Sequence, residues 1–231
     1  MKKFDVISEG DLNAALNRQI AQQREWLSLD EKGRFIEFMG RPFLIGKGIF
    51  PPGDDTIQLI ESFPVLKGKI VLDFGCGTGA ITIAAAVKGA ESVVAVDINP
   101  AAVRNTRKNA EQWEFEDIIK VMEFDGIPEF GEEMAFDLIV ANLPGRNRNS
   151  STYTEAAQWD TSFKAHTSLF ENAKKILTGD GRILIAKSNY PELNDVVELA
   201  EANGYSCSVR NIDAPIPDDP RRSYILEFEA S

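Results

Sequence analysis

The chain has 231 residues, of which 43% are apolar, with 36 Asp and Glu against 25 Lys and Arg, one His and two Cys. One large domain with a substantial core fits that length. The net charge of −11, carried almost wholly by residues 51–231, opposes a broad surface for duplex nucleic acid.

The opening residues MKKFDVISEGD lack the apolar region of a secretory signal. Leu12, Leu16, Ile20 and Leu27 then recur at helical spacing over residues 11–28, with Gln and Arg between them. Residues 34–45 read as a hairpin, with Phe35–Phe38 and Phe43–Ile45 as strands and Gly40-Arg41-Pro42 as the turn. Pro51-Pro52-Gly53 breaks the chain before a helix from Asp54 to Ser62.

From Lys69 the pattern is regular. A strand (Lys69–Phe74), a Gly-rich turn and a helix (Gly79–Lys88) are followed by a strand (Ser92–Asp97) and a helix opened by Asn99-Pro100. Strands at Ile118–Phe124 and Phe136–Asn142 precede the polar loop Arg146–Tyr153. A helix over Thr161–Leu177, closed by Gly179-Asp180-Gly181, leads to a strand at Arg182–Ala186 and a helix from Pro191 to Ala202. Two final strands, Ser206–Ile212 and Ser223–Glu229, flank the Pro-rich segment Ala214–Arg222, which is too short for a helical crossover, so they pair antiparallel. Alternation of this kind predicts a doubly wound α/β fold. Its seven-stranded, mostly parallel sheet ends in an antiparallel C-terminal strand and carries an N-terminal helix and hairpin extension. Residues 1–47 are expected to form that extension and cover substrate, and residues 48–231 the main domain.

A single His and two Cys exclude a two-His helical zinc site and a four-thiolate site, so no metal is expected. Cys76 and Cys207 are too few for a disulfide framework, and no segment approaches the roughly 18 uninterrupted apolar residues of a membrane span. The expectation is a soluble cytoplasmic protein that does not engage membranes. Its oligomeric state is open.

The strongest motif is Val71-Leu72-Asp73-Phe74-Gly75-Cys76-Gly77-Thr78-Gly79. Its glycines let the backbone turn sharply and approach a ligand, but their spacing is G-x-G-x-G, and not the G-x-G-x-x-G of dinucleotide sites. The acid at Asp73 opposes a pyrophosphate and suits a cation. Asp97, closing the next strand, suits the two hydroxyls of a ribose. Cys76 reads as a small buried residue, and His166 as a helix histidine with no nucleophile elbow nearby.

Strand, D-x-G-x-G-x-G, helix and V-V-A-V-D-I-N-P together resemble the cofactor signature of class I S-adenosylmethionine-dependent methyltransferases, over roughly Gly48 to Glu229. The resemblance implies a Rossmann-like methyltransferase fold with S-adenosylmethionine as cofactor. Asp73, Gly75, Cys76, Gly77 and Gly79 would lie at its methionyl part, Asp97 on the ribose, Ile98 against the adenine or ribose, and Asp125 beside the adenine. Asn142-Leu143-Pro144-Gly145 resembles the Asn-Pro-Pro-Tyr segment of nitrogen-methylating members, which implies that Asn142 and Pro144 form the catalytic turn and that Asn142 also touches the cofactor. Gly145 lacks the aromatic of that segment, and Tyr153, Trp159 or Phe50 are the candidates to supply a ring. Gly48-Ile49-Phe50-Pro51-Pro52-Gly53-Asp54-Asp55-Thr56 resembles the entry segment of HemK-like, small-domain enzymes. There Phe50 would pack on the cofactor and Thr56 would hydrogen-bond its carboxylate.

The expected activity is in-line methyl transfer to nitrogen of a peptide, protein or small-molecule acceptor. Two alternatives stand beside it. The Asn-Leu-Pro triplet also resembles tRNA guanine methyltransferases, with Arg146 and Arg148 following it, although the acidic charge disfavours nucleic acid. The other is a non-catalytic, methyltransferase-like partner protein.

Overall fold

The computed structural model describes residues 4–131, 134–212 and 221–231. Helix α1 (Glu9–Leu27) begins at Ser8, whose hydroxyl accepts the Asp11 N–H at 3.2 Å, and it buries only Ala15, Gln19 and Trp26. Strands β1 (Arg34–Phe38) and β2 (Arg41–Ile45) form an antiparallel hairpin. Its turn is Met39-Gly40, both at positive φ, so Arg41 and Pro42 belong to the strand and not to the expected turn.

Helix α2 (Asp54–Glu61) leads into the main sheet of β3 (Ile70–Phe74), β4 (Ser92–Asp97), β5 (Ile119–Glu123), β6 (Phe136–Ala141), β7 (Leu177–Ser188), β8 (Tyr205–Ile212) and β9 (Ser223–Ala230). Spatial order is β5-β4-β3-β6-β7-β9-β8, with β9 antiparallel to both neighbours and the other neighbouring pairs parallel. The fold class is as expected. Helices α3 (Ala80–Val87), α4 (Pro100–Gln112), α5 (Tyr153–Ala156), α6 (Lys164–Asn172) and α7 (Glu192–Ala202) complete it. The Pro-rich link expected at Ala214–Arg222 falls largely outside the described residues.

Strand alternation builds two cores. Val71, Val93, Ala95, Leu138, Val140 and Leu184 point to the face covered by α2, α3 and α4. Leu72, Val94, Val96, Ile139, Ile183 and Ile185 point to the face holding Leu169 and Phe170 of α6 and Leu193 and Val196 of α7. The hairpin adds Phe38, Phe43 and Ile45 to the first core. Two buried α4 asparagines dock it there. The Asn109 side chain accepts the Leu44 N–H at 2.9 Å, and both Asn105 and Asn109 donate to the carbonyls of Leu44 and Thr78.

Three further expectations fail locally. The helix expected over Thr161–Leu177 is broken: α6 spans only Lys164–Asn172, with short 3-10 turns on either side. Gly179-Asp180-Gly181 lies inside β7, because Leu177 already pairs with Phe136 and the register shifts before Arg182 meets Leu138. That irregularity absorbs the glycines, which sequence reads as a helix stop. The polar loop also ends in the one-turn helix α5, capped by Thr152, where none was expected.

Candidate active site

Chain order reverses direction beside β3: β4 and β5 lie on one side of it and β6 on the other. An open α/β sheet leaves a crevice beyond the strand C-termini at such a point. Here it is a cavity of about 600 Å³, lined by Phe74 and Gly75 after β3, Asp97 and Ile98 after β4, Phe124 and Asp125 after β5, and Asn142 after β6.

The glycine loop hangs on β4 and α4. The Gly75 and Cys76 N–H groups donate to the Val96 carbonyl at 2.8 and 3.0 Å, and Thr106 Oγ1 donates to the Gly77 carbonyl at 3.1 Å. Gly75, Gly77 and Gly79 all take positive φ. Their surroundings differ. A Cβ on Gly79 would meet Thr106 atoms at 2.9–3.2 Å, including its Cα, so this glycine permits close packing of α4 and does not line the cavity. A Cβ on Gly77 would meet nothing nearer than the Phe50 carbonyl oxygen at 4.0 Å and would stand in the cavity.

Asp97 closes the loop from below. Its Oδ2 accepts the Gly77 N–H and its Oδ1 the Asn99 N–H, both at 2.8 Å, and burial pushes its carboxyl up in pKa despite these two donors. Each oxygen retains a lone pair for a further donor. Ile98 and Phe124 are exposed apolar side chains on the cavity wall beside Asp125, whose carboxylate pairs with Lys164 at 2.5 Å.

Asp73 is placed differently from the expectation. It does not line the cavity: the side chain is fully buried, and its Oδ2 accepts the Thr82 hydroxyl at 2.5 Å from α3. Among the described residues its Oδ1 has no partner. Burial raises its pKa to about 7, with a smaller contribution from Asp97 in the same direction. Cys76 lines the cavity but is itself buried, accepts a hydrogen bond from Thr106 at 3.4 Å, and is pushed well above the ordinary thiol pKa, first by burial. That makes it an inert wall residue.

The entry segment meets the Asn142-Leu143-Pro144-Gly145 turn directly. Asn142 Nδ2 donates to Asp55 Oδ2 at 3.2 Å and to Thr56 Oγ1 at 3.1 Å. A carboxylate only accepts, so the amide nitrogen must face Asp55, and Oδ1 is left as the acceptor end of a side chain on the cavity wall. Thr56, expected on the cofactor carboxylate, thus has Asn142 as a partner. Phe50 lines the cavity and packs edge-on against Trp26 of α1, ring centroids 4.5 Å apart.

Opposite lies a buried ionic chain that sequence reading missed. Asp160 Oδ2 and His166 Nδ1 are 2.6 Å apart, His166 Nε2 and Lys187 Nζ are 3.1 Å apart, and Lys187 donates to the Pro144 carbonyl at 2.9 Å. Lys187 lies near the end of β7, a lone Lys after Leu184-Ile185-Ala186, and that pattern is the one local signal that could have drawn attention to it. Burial and the adjacent Lys187 lower the His166 pKa to about 4. A neutral imidazole fits the geometry, donating from Nδ1 and accepting at Nε2. Burial lowers Lys187 to about 8, against the pull of Asp160 and Glu192.

The missing aromatic is found elsewhere. A Cβ on Gly145 would stand 3.0 and 3.1 Å from Cδ2 and Cε2 of Tyr190, which lines the cavity. Tyr153 and Trp159 also line it. Arg146 is buried: its Nε pairs with Glu192 at 2.8 Å and its guanidinium lies 5.1 Å over the Tyr190 ring. It is therefore not a surface partner for phosphate.

A glycine, Gly77, whose side-chain space belongs to the cavity, an acid with free lone pairs after β4 and an apolar pair beside Asp125 fit the methionyl, ribose and adenine parts of S-adenosylmethionine. Fold and loop together define a class I S-adenosylmethionine-dependent methyltransferase domain. Among the described residues no group of three or more His, Cys, Asp or Glu is placed to hold a metal ion, and no helix is long and apolar enough to cross a membrane.

The particular relatives sharpen this class. Residues 44–144 match the sequence profile of the ribosomal protein L11 methyltransferase (PrmA) family. A ribosomal protein L11 methyltransferase of Shigella sonnei is 33% identical over 118 residues, 51% of this chain and 39% of the relative. A putative protein N5-glutamine methyltransferase of Methanocaldococcus jannaschii is 43% identical over 75 residues, 32% of this chain and 38% of the relative. The chain thus spans about two fifths of the length of these curated relatives. Among solved structures, the Thermus thermophilus 16S rRNA N2 G1207 methyltransferase in complex with AdoMet and guanosine superposes with a TM-score of 0.64 at 21% identity. That superposition covers 86% of this chain and 50% of the other.

Proposed function

We propose that the protein transfers a methyl group from S-adenosylmethionine to a nitrogen atom of a peptide or protein side chain. The observation that carries this reading is the orientation of Asn142, whose amide nitrogen is fixed by Asp55 and Thr56 so that Oδ1 serves as acceptor. An oxygen so held binds an N–H of the acceptor and orients the nitrogen for displacement at carbon, a contribution made by positioning. When bound, the cofactor supplies a methyl group on a sulfonium, which leaves as a thioether while the acceptor nitrogen loses its proton to water. Asp97, Ile98 and Gly77 hold the nucleoside and the loop-facing part, and Phe50 packs over them. Helix α1, which buries Gln19 against the cavity, is read as the substrate cover. The curated relatives named for protein substrates support a macromolecular acceptor. The burial of Arg146 counts against RNA.

The test is incubation of purified ribosomes with the protein and methyl-tritiated S-adenosylmethionine, followed by separation of ribosomal protein from RNA. Label in protein that disappears with Asn142→Ala is the expected result. Label confined to RNA would replace the protein reading with the nucleic-acid one.

A further inference from the structure

The cavity wall beyond β5 carries an ion pair that the stability of the fold does not require. Asp125 Oδ2 and Lys164 Nζ stand 2.5 Å apart, both residues line the cavity, and their side chains are 52% and 68% exposed. An ion pair that open to water adds little to stability. Lys164 is also the first residue of α6, where the helix dipole disfavours a positive charge.

Its placement is nonetheless fixed. The two residues before it, Ser162 and Phe163, both take a φ of 55°, a left-handed conformation that residues with side chains adopt at a cost. Phe163 packs against the second core, and the Asp160 carboxylate accepts the Ala165 and His166 N–H groups at 2.9 and 3.2 Å. One turn further along α6, Ser168 Oγ accepts the Ile127 N–H at 3.1 Å. A Cβ on Gly126 would stand only 2.5 Å from that oxygen. Lys164 and Ser168, four residues apart on one face of α6, thus grip Asp125 and the two residues after it.

What the pair can bind follows from its chemistry. Among the described residues, Asp125 Oδ1 and two of the three Lys164 N–H groups have no protein partner. The pair therefore presents an acceptor beside a charged donor, next to the exposed apolar side chains of Ile98 and Phe124. Adenine carries the matching order along one edge, a donor at the N6 amino group and an acceptor at N1. That edge is remote from the ribose, and β5 lies beyond β4, whose Asp97 is read as the ribose acceptor.

We propose that Lys164 is a specificity-determining residue for the cofactor: with Asp125 accepting from the N6 amino group, its ammonium donates to N1 of adenine. A hypoxanthine ring, with an N1–H donor and an oxygen at position 6, reverses both partners and is rejected. This inference rests on the S-adenosylmethionine reading above. It adds to that reading a residue outside 44–144, the stretch matched to the family profile.

The test is calorimetric titration of the full chain with S-adenosylhomocysteine and its 1-deaza, 7-deaza and inosine analogues, repeated on Lys164→Met. The unsubstituted protein is expected to bind the 1-deaza and inosine analogues about tenfold or more weakly than the parent, and the 7-deaza analogue within a few-fold. Lys164→Met is expected to bind the parent about tenfold more weakly, and the parent and the 1-deaza analogue alike. A lysine that only supported the fold would weaken all four ligands together and leave their order intact. The order of the analogues in the unsubstituted protein is a readout that needs no variant. Equal binding of the parent and the 1-deaza analogue by that protein, a deficit confined to the 7-deaza analogue, or a preference for N1 that survives in Lys164→Met would overturn the proposal alone. Failure of the unsubstituted protein to bind S-adenosylhomocysteine would overturn the cofactor reading and this proposal with it.

Discussion

The ring of Tyr190 occupies the space that a side chain at position 145 would need, with Cδ2 3.0 Å from where a Cβ on Gly145 would stand. An aromatic is thus delivered to the turn after β6 from the segment after β7. Gly145→Ala is expected to destabilise the fold by about 1–3 kcal/mol through overpacking against that ring. Tyr190→Phe removes a buried hydroxyl that has no partner among the described residues and should leave stability within about 0.5 kcal/mol or raise it. Urea denaturation midpoints of the two variants measure this difference.

Gly77 and Gly79 separate binding from folding. Gly79→Ala drives a Cβ into Thr106 and is expected to lose stability, because α4 backbone is among the atoms it meets. Gly77→Ala meets open cavity, so beyond a left-handed backbone cost of about 1–2 kcal/mol its main effect is expected on cofactor affinity. Thermal unfolding with and without S-adenosylhomocysteine distinguishes them: the ligand-induced rise in Tm should survive best in a partly folded Gly79→Ala and be smallest in Gly77→Ala.

Asn142 is expected to act on turnover and not on the cofactor. Asn142→Ala should lower methyl transfer by about a hundredfold or more, in the range seen when one oriented hydrogen-bonding group is removed from a reacting centre. Its affinity for S-adenosylhomocysteine should stay within a few-fold. An Asn142→Ala variant with full turnover would remove the turn from the chemistry.

Stability against pH carries two opposing slopes. His166 has a folded pKa near 4, below its ordinary 6.5, so the unfolded chain takes up its proton first and stability is lost as pH falls from 6.5 towards 4. Asp73 has a folded pKa near 7, above its ordinary 3.8. The folded state therefore holds that proton longer, and stability rises as pH falls from 7 towards 3.8. Asp73→Asn removes the second slope. Denaturation midpoints across this window should show the variant losing stability on acidification more steeply than the unsubstituted protein.

Much of this site is legible in the chain because its signals are local. The glycine spacing, Asp97 at a strand end and Asn99-Pro100 opening a helix are each fixed by their immediate neighbours, and the doubly wound, mostly parallel sheet follows from the alternation around them, while its strand order is read only from the structure. Asp73 departs from its expected place because sequence shows that an acid precedes the glycines but not which way it turns, and here Thr82 on α3 holds it inward. Gly179-Asp180-Gly181 misled because a strand irregularity and a helix stop use the same residues. Tyr190 and Gln158 carry no local mark of function. They line the cavity only because the segment after β7, the loop after β6 and α1 are brought together there, and α1 contributes Gln19 to the same wall.

The central claim is that the cavity beside the glycine loop holds S-adenosylmethionine through Asp97. Calorimetric titration with S-adenosylmethionine, S-adenosylhomocysteine and NAD, repeated on Asp97→Ala, tests it most directly. Micromolar binding of the first two, lost in Asp97→Ala and absent for NAD, is the predicted result. Binding of NAD in their place, or of all three unaffected by the substitution, would contradict it.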